Sequence, residues 1–150
     1  MSSPVTVRGL QKADQAAWAP LWRGYTSFYR AEADARSSED TFTRLCEERD
    51  GIFGLVAVDG DRLVGLCHLV LHANTWSPAR SCYLQDLYVD PASRGTGVAE
   101  RLFEAAYAAA RERGADRVYW HTQQFNAPAR SLYDTVGSPT SFVVYEHNLG

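Results

Sequence analysis

At 150 residues, with 45% hydrophobic and 22% charged side chains, the chain has the length and balance of one folded domain, residues 1–150, with a sizeable core. A net charge of −3 argues against a nucleic-acid face as the main function, and no run of about 18 apolar residues is present to span a membrane. The opening "MSSPVTVRGLQKAD" lacks the apolar centre of a secretion signal, and Cys46, Cys67 and Cys82 show no Cys-x-x-Cys spacing, so reduced thiols in a cytoplasmic protein are expected.

"VTVRG" (5–9) predicts a short strand. Asp14 is placed to cap a helix whose apolar face is Trp18, Leu21, Trp22, Tyr25, Phe28 and Tyr29, at spacings of three and four. Pro20 and Gly24 fall inside it and predict a kink or a division into two pieces. "SSEDTFTRLCEERDG", with serine caps, early acids and a closing Gly51, predicts a second helix. "FGLVAVDGDRLVGLCHLVLH" reads as two strands joined at Asp59-Gly60, a dipeptide suited to hairpin turns. "SCYLQDLYV" (81–89) is a further strand, stopped by Pro91.

From Val98, apolar residues recur at Leu102, Ala106 and Ala110 along one helical face, which Arg111, Arg113 and Gly114 close. "DRVYWHT" (116–122) predicts the next strand, Asn126 caps a short helix with Pro128 in its first turn, and "SFVVYEH" (141–147) predicts a last strand at an exposed edge. The mixture points to an α/β (mixed α+β) sheet protein.

The stretch "PASRGTGVAERL" (91–102) places Gly95 and Gly97 between a strand and a helix. A helix N-terminus presents unpaired N–H groups and partial positive charge, which suit phosphate. Glycine lets a phosphate come close to the backbone, and Arg94 adds a fork of donors. The stretch therefore reads as a pyrophosphate cradle. It is not a Walker loop, which needs Gly-Lys-Ser/Thr, and Glu100 stands where a dinucleotide fingerprint needs a third small residue. His68 and His72 lie on one strand about 13 Å apart, too far to share one metal ion, and no metal site is expected.

"RGTGVA" (94–99) resembles the Arg/Gln-x-x-Gly-x-Gly/Ala signature of the GNAT superfamily of N-acetyltransferases, "LQDLYVDPASRG" resembles that family's fourth strand, and "FNAPARSLYD" (125–134) resembles its Asn…Leu-Tyr element. In finer detail, "WRGYTSFY" and "VYWHTQQFNAPARSLYD" resemble the fungal-type histone/polyamine acetyltransferase branch and its bacterial relatives. The resemblance implies a central mixed, mostly antiparallel sheet, splayed between strands four and five and flanked by helices. It implies acetyl-CoA as cosubstrate, its pyrophosphate on Arg94, Gly95, Thr96, Gly97, Val98 and Ala99. Pantetheine would lie along the backbone of Leu87, Tyr88 and Val89, with the Val89 N–H polarising the thioester carbonyl, and Asn126 would bond the pantetheine amide. Tyr133 would be the general acid. The branch also implies a homodimer, with C-terminal strands meeting across the interface in some members.

The chain departs from some relatives at Gln85, where they carry a glutamate; glutamine cannot take a proton. Strict alternation would point Asp86 to the opposite face of the strand. Deprotonation of the amine is then left to a water chain, to His121, or to an amine that is already less basic. Direct transfer to a primary amine of a small molecule, amino acid or lysine side chain is the implied function; the alternative is an acyl-CoA-binding regulatory module with little or no catalysis. Glu32 and Asp34 are candidates to receive a cationic acceptor.

Overall fold

The computed structural model describes residues 4–29, 35–122 and 127–150. Five strands, β1 (Thr6–Gly9), β2 (Ile52–Asp59), β3 (Arg62–His72), β4 (Arg80–Val89) and β5 (Ala115–Tyr119), lie side by side in chain order. The first four are antiparallel neighbours, whereas β5 runs parallel to β4 after a helical crossover. Helices α1 (Gln15–Phe28) and α2 (Ala35–Cys46) precede β2; α3 (Val98–Glu112) connects β4 to β5, and α4 (Ala127–Val136) follows β5.

Each sheet face has its own core. On one, Trp18 and Leu21 of α1 and Phe42 and Leu45 of α2 close over Leu66. On the other, Val98, Leu102, Phe103, Ala106 and Ala110 of α3 pack against Phe53, Leu69, Cys82 and Leu84. The four-residue repeat that predicted this helix is its buried stripe, as the hydrophobic effect requires of a helix lying on a sheet.

Four local expectations change. Helix α1 runs unbroken through Pro20, because Trp18 and Leu21 are buried on either side of it and hold the helix to the sheet. Gly24 is explained by packing: a Cβ there would lie 2.6 Å from the Tyr88 hydroxyl, so only glycine lets α1 come this close to β4. Asp14 stands at the start of α1 without capping it; its carboxylate instead receives Arg8 at 2.8 and 2.9 Å and the Gln11 N–H at 2.8 Å. Residues 141–147 do not form the expected last strand. Among the described residues they pair with no strand, and Phe142, Val143, Val144 and Tyr145 are exposed. No helix among the described residues is long and apolar enough to cross a membrane.

β4 and β5 pair only over Arg80–Tyr83, opposite Ala115–Tyr119. Beyond Tyr83 the two strands part, which is the expected splay.

Candidate active site

The opening between the parted strands is a cleft of about 1070 Å³. Tyr83 and Gln85 of β4, Tyr119 of β5 with Trp120 and His121 beyond it, Tyr25 of α1 with Tyr29 at its end, and Tyr133 of α4 line it. At one end of β4 stands the glycine turn. Asp90 accepts the Ala92 N–H at 3.0 Å and steadies the Pro91–Ser93 turn before it. Gly95 and Gly97 both take left-handed backbone angles, φ 79° and 83°, and Gly97 sits at the N-cap of α3. A Cβ on Gly95 would meet nothing within 4 Å, and one on Gly97 only the Glu100 carboxylate at 3.9 Å. The space before the unpaired N–H groups of α3 is therefore open, and the residues present fit a phosphate group. The Arg94 side chain folds back: its Nε donates to the Val89 carbonyl at 3.2 Å and its guanidinium lies 5.6 Å from the Tyr88 ring centre. Val98 is buried, Ala99 half-buried, and the Thr96 hydroxyl donates to the Ser93 carbonyl.

Leu87 and Val89 turn their side chains into the α3-side core, and Tyr88 packs on the α1 side. The Asp90 N–H donates to the Val64 carbonyl of β3 at 2.8 Å. Backbone groups alternate along a strand, so the Val89 N–H points away from β3, into the gap toward β5. The Val89 carbonyl, which receives Arg94, points the same way.

Tyr133 packs edge-on against Trp120 and Phe103, with ring centres 5.8 and 5.9 Å away. Burial raises the pKa of its phenol above the usual value. Asn126, Glu32 and Asp34 lie outside the described residues. His121 is exposed, and its Nδ1 meets the Tyr83 hydroxyl at 3.2 Å.

The expected orientation of Asp86 is overturned. His68 faces Asp86 while Leu69 faces Leu84, so Gln85 is an extra residue in β4, a bulge. The bulge resets the alternation and puts Asp86 on the α1 face, where its carboxylate meets His68 Nδ1 at 2.9 Å. His68 Nε2 accepts the Trp18 indole N–H at 3.1 Å. Indole only donates, so Nε2 carries no proton and Nδ1–H donates to Asp86. The Tyr25 hydroxyl lies between the Gln85 carbonyl, 3.4 Å away, and Asp86; burial, then the Asp86 charge and hydrogen bond, push its pKa far up. Sequence reasoning missed this row. Its one available signal was the pairing of a histidine and an aspartate on adjacent strands, which the hidden bulge concealed. His72 is separate: its Nδ1 donates to the Ala73 carbonyl and its Nε2 accepts the Tyr119 hydroxyl at 2.7 Å.

A parted parallel pair beside a glycine-rich helix start is the arrangement that the resemblance to N-acetyltransferases implies. The chain belongs to the acetyltransferase (GNAT) family, whose model matches residues 18–137. It is 32% identical to the D-amino-acid N-acetyltransferase HPA3 of Saccharomyces cerevisiae, over 96% of this chain and 91% of that protein. It is also 32% identical to an uncharacterized N-acetyltransferase, YhfO, of Bacillus subtilis, over 94% and 95% of the two chains. Its fold matches the aminoglycoside N-acetyltransferase AAC(6')-Iy, solved with CoA, at a TM-score of 0.86 and 14% identity, over 100% of this chain and 98% of the other. These relatives lie in both fungal and bacterial branches.

Proposed function

We propose that the protein moves the acetyl group of acetyl-CoA directly to a primary amine on a small molecule, an amino acid or a lysine side chain. The observation that carries this is the parting of β4 and β5 beside an open helix N-terminus, with the Val89 N–H directed into the gap. In this reading Arg94, Gly95, Thr96, Gly97, Val98 and Ala99 hold the pyrophosphate. Leu87, Tyr88 and Val89 offer backbone groups to pantetheine, and Asn126 bonds its amide. The Val89 N–H polarises the thioester carbonyl as the amine attacks. The C–N bond forms, the C–S bond breaks, Tyr133 gives its proton to the departing thiolate, and the proton that the amine nitrogen sheds passes through water and restores the phenol. The position of Tyr133 on the cleft wall supports this role. No cysteine takes part: Cys67 and Cys82 are buried, and burial raises the pKa of all three thiols, the half-buried Cys46 included.

The yeast relative's name makes D-amino acids the first acceptors to try. We further propose a cytoplasmic homodimer. The exposed apolar side chains of Phe142, Val143, Val144 and Tyr145 support a second copy as their cover, and three free thiols support a reducing compartment.

Release of free CoA from acetyl-CoA, measured against D- and L-amino acids, polyamines, aminoglycosides and basic peptides, tests the reading. Consumption of the thioester with at least one amine is expected. No rate above hydrolysis in buffer, with CoA still bound, would favour the alternative of an acyl-CoA-binding regulatory module.

A further inference from the structure

The row that ends at Tyr25 on the cleft wall begins in the core. Trp18 on α1 and His68 on β3 are almost wholly buried, at 1% and 4% exposure, yet they form a directed chain of hydrogen bonds. Trp18 can only donate, so it fixes the proton of His68 on Nδ1, and Nδ1–H fixes the Asp86 carboxylate. The Tyr25 hydroxyl lies beside Asp86 and 3.4 Å from the Gln85 carbonyl; both are acceptors, so its one hydrogen is directed toward that pair and the lone pairs of its oxygen are left for the cleft. Tyr29 and Tyr83 stand beside it, and Gln85 brings no charge. A hydroxyl oxygen backed by a fixed carboxylate and flanked by aromatic rings suits one kind of visitor, an ammonium group.

We propose that Trp18, His68, Asp86 and Tyr25 act as one unit that receives the acceptor amine in its cationic form, with Tyr25 as the contact and His68 as a positioning residue. The proposal rests on the acetyl-transfer reading for the identity of the cleft's visitor. It gives the bulge at Gln85 a purpose, because without it Asp86 would face the α3 core.

The two ends of His68 can be separated. An asparagine amide overlays imidazole Nδ1 and keeps the donor to Asp86; a glutamine carbonyl overlays Nε2 and keeps the acceptor for Trp18. Each variant leaves one partner unpaired, the Trp18 indole N–H in His68→Asn and the Asp86 carboxylate in His68→Gln. With D-lysine and thialysine as acceptors, His68→Gln should raise the amine KM roughly tenfold, the cost of freeing a charged partner. His68→Asn should recover most of that loss, and Tyr25→Phe should raise the amine KM as His68→Gln does. Acetyl-CoA affinity should stay within about twofold in all three. Nitrogen NMR of the wild type should show the His68 proton on Nδ1.

Equal KM values for the asparagine and glutamine variants, or an unchanged KM in Tyr25→Phe, would overturn the proposal; so would a His68 proton on Nε2. If the wild type acetylates neither amine, the acetyl-transfer reading fails by itself. The row is then judged by the NMR signature and by calorimetric D-lysine binding to the CoA-loaded protein, with the same comparison. If neither His68 variant folds, Tyr25→Phe, which keeps the ring, decides.

Discussion

Gly97→Ala separates two roles that one glycine plays, and Gly114→Ala supplies the control. Gly97 sits at φ 83° and Gly114 at φ 85°, at opposite ends of α3. A Cβ meets nothing within 4 Å at Gly114, and only the Glu100 carboxylate at 3.9 Å at Gly97. Neither substitution therefore creates a clash, and both carry the left-handed strain of an L-residue, about 1–2 kcal/mol. For a chain of this size that lowers Tm by roughly 2–8 °C, equally at both sites. Only at Gly97 does the new methyl stand in the space assigned to phosphate. Losing one charge-assisted hydrogen bond there, about 1.5–3 kcal/mol, weakens CoA binding roughly 10- to 150-fold. Thermal melts and calorimetry with CoA read the two effects separately. Equal CoA affinities in the two variants, with both folded, would refute the cradle. Unchanged melting temperatures would refute the strain argument.

Tyr133→Phe keeps the ring against Trp120 and Phe103, so it should bind acetyl-CoA normally while kcat falls roughly 10- to 1000-fold; a fall below about twofold, with chemistry limiting, would reduce Tyr133 to packing. Its folded pKa is raised, so the stability that it contributes is present below about pH 10 and lost as pH rises through the higher folded value, which an alkaline denaturation series on both proteins would show. Asp14 has the opposite sign: the hydrogen bond from Arg8, foremost, lowers its pKa below 3.8, so its contribution is lost as the solution is acidified past that value, and Asp14→Asn should flatten the acid limb of a stability profile. Gly24→Ala should destabilise by about 1–3 kcal/mol through its contact with Tyr88, and Tyr88→Phe should return part of that loss in a chemical denaturation series. Light scattering should give about twice the 16.7 kDa chain mass, and a chain ending at Pro139 should give the monomer; a full-length monomer would remove the homodimer proposal.

What could be read in advance was whatever depends on neighbours in the chain. Gly95 and Gly97 announced an open backbone at a helix start, Asp59-Gly60 announced a turn, and the repeat from Val98 to Ala110 announced a buried stripe. The final apolar stretch at 141–147 was misread for a different reason: a strand needs a partner edge, and local pattern does not say whether one exists within the chain. Asp86 was misplaced because one extra residue in a strand inverts every later side chain, and Gln85 has no composition that marks a bulge. Asp14 was misassigned because Arg8, six residues earlier, offered a stronger partner than the helix end.

The aromatic ladder on α1 also makes the molecule its own optical instrument. Trp18 and Trp22 stack 5.6 Å apart and 12° from parallel, and Trp22 stacks on Tyr25 at 5.6 Å. Transition dipoles that close couple, so the pair should give a paired band in near-ultraviolet circular dichroism. Trp120 lies beneath Tyr133, whereas Trp76 is 97% exposed. The four indoles thus stand in three different environments: the α1 stack, the cleft wall and open solvent. Iodide should quench Trp76 first and leave the others bright. What remains of the emission can then follow cleft occupancy at Trp120 and the seating of α1 at the stacked pair, with no dye attached.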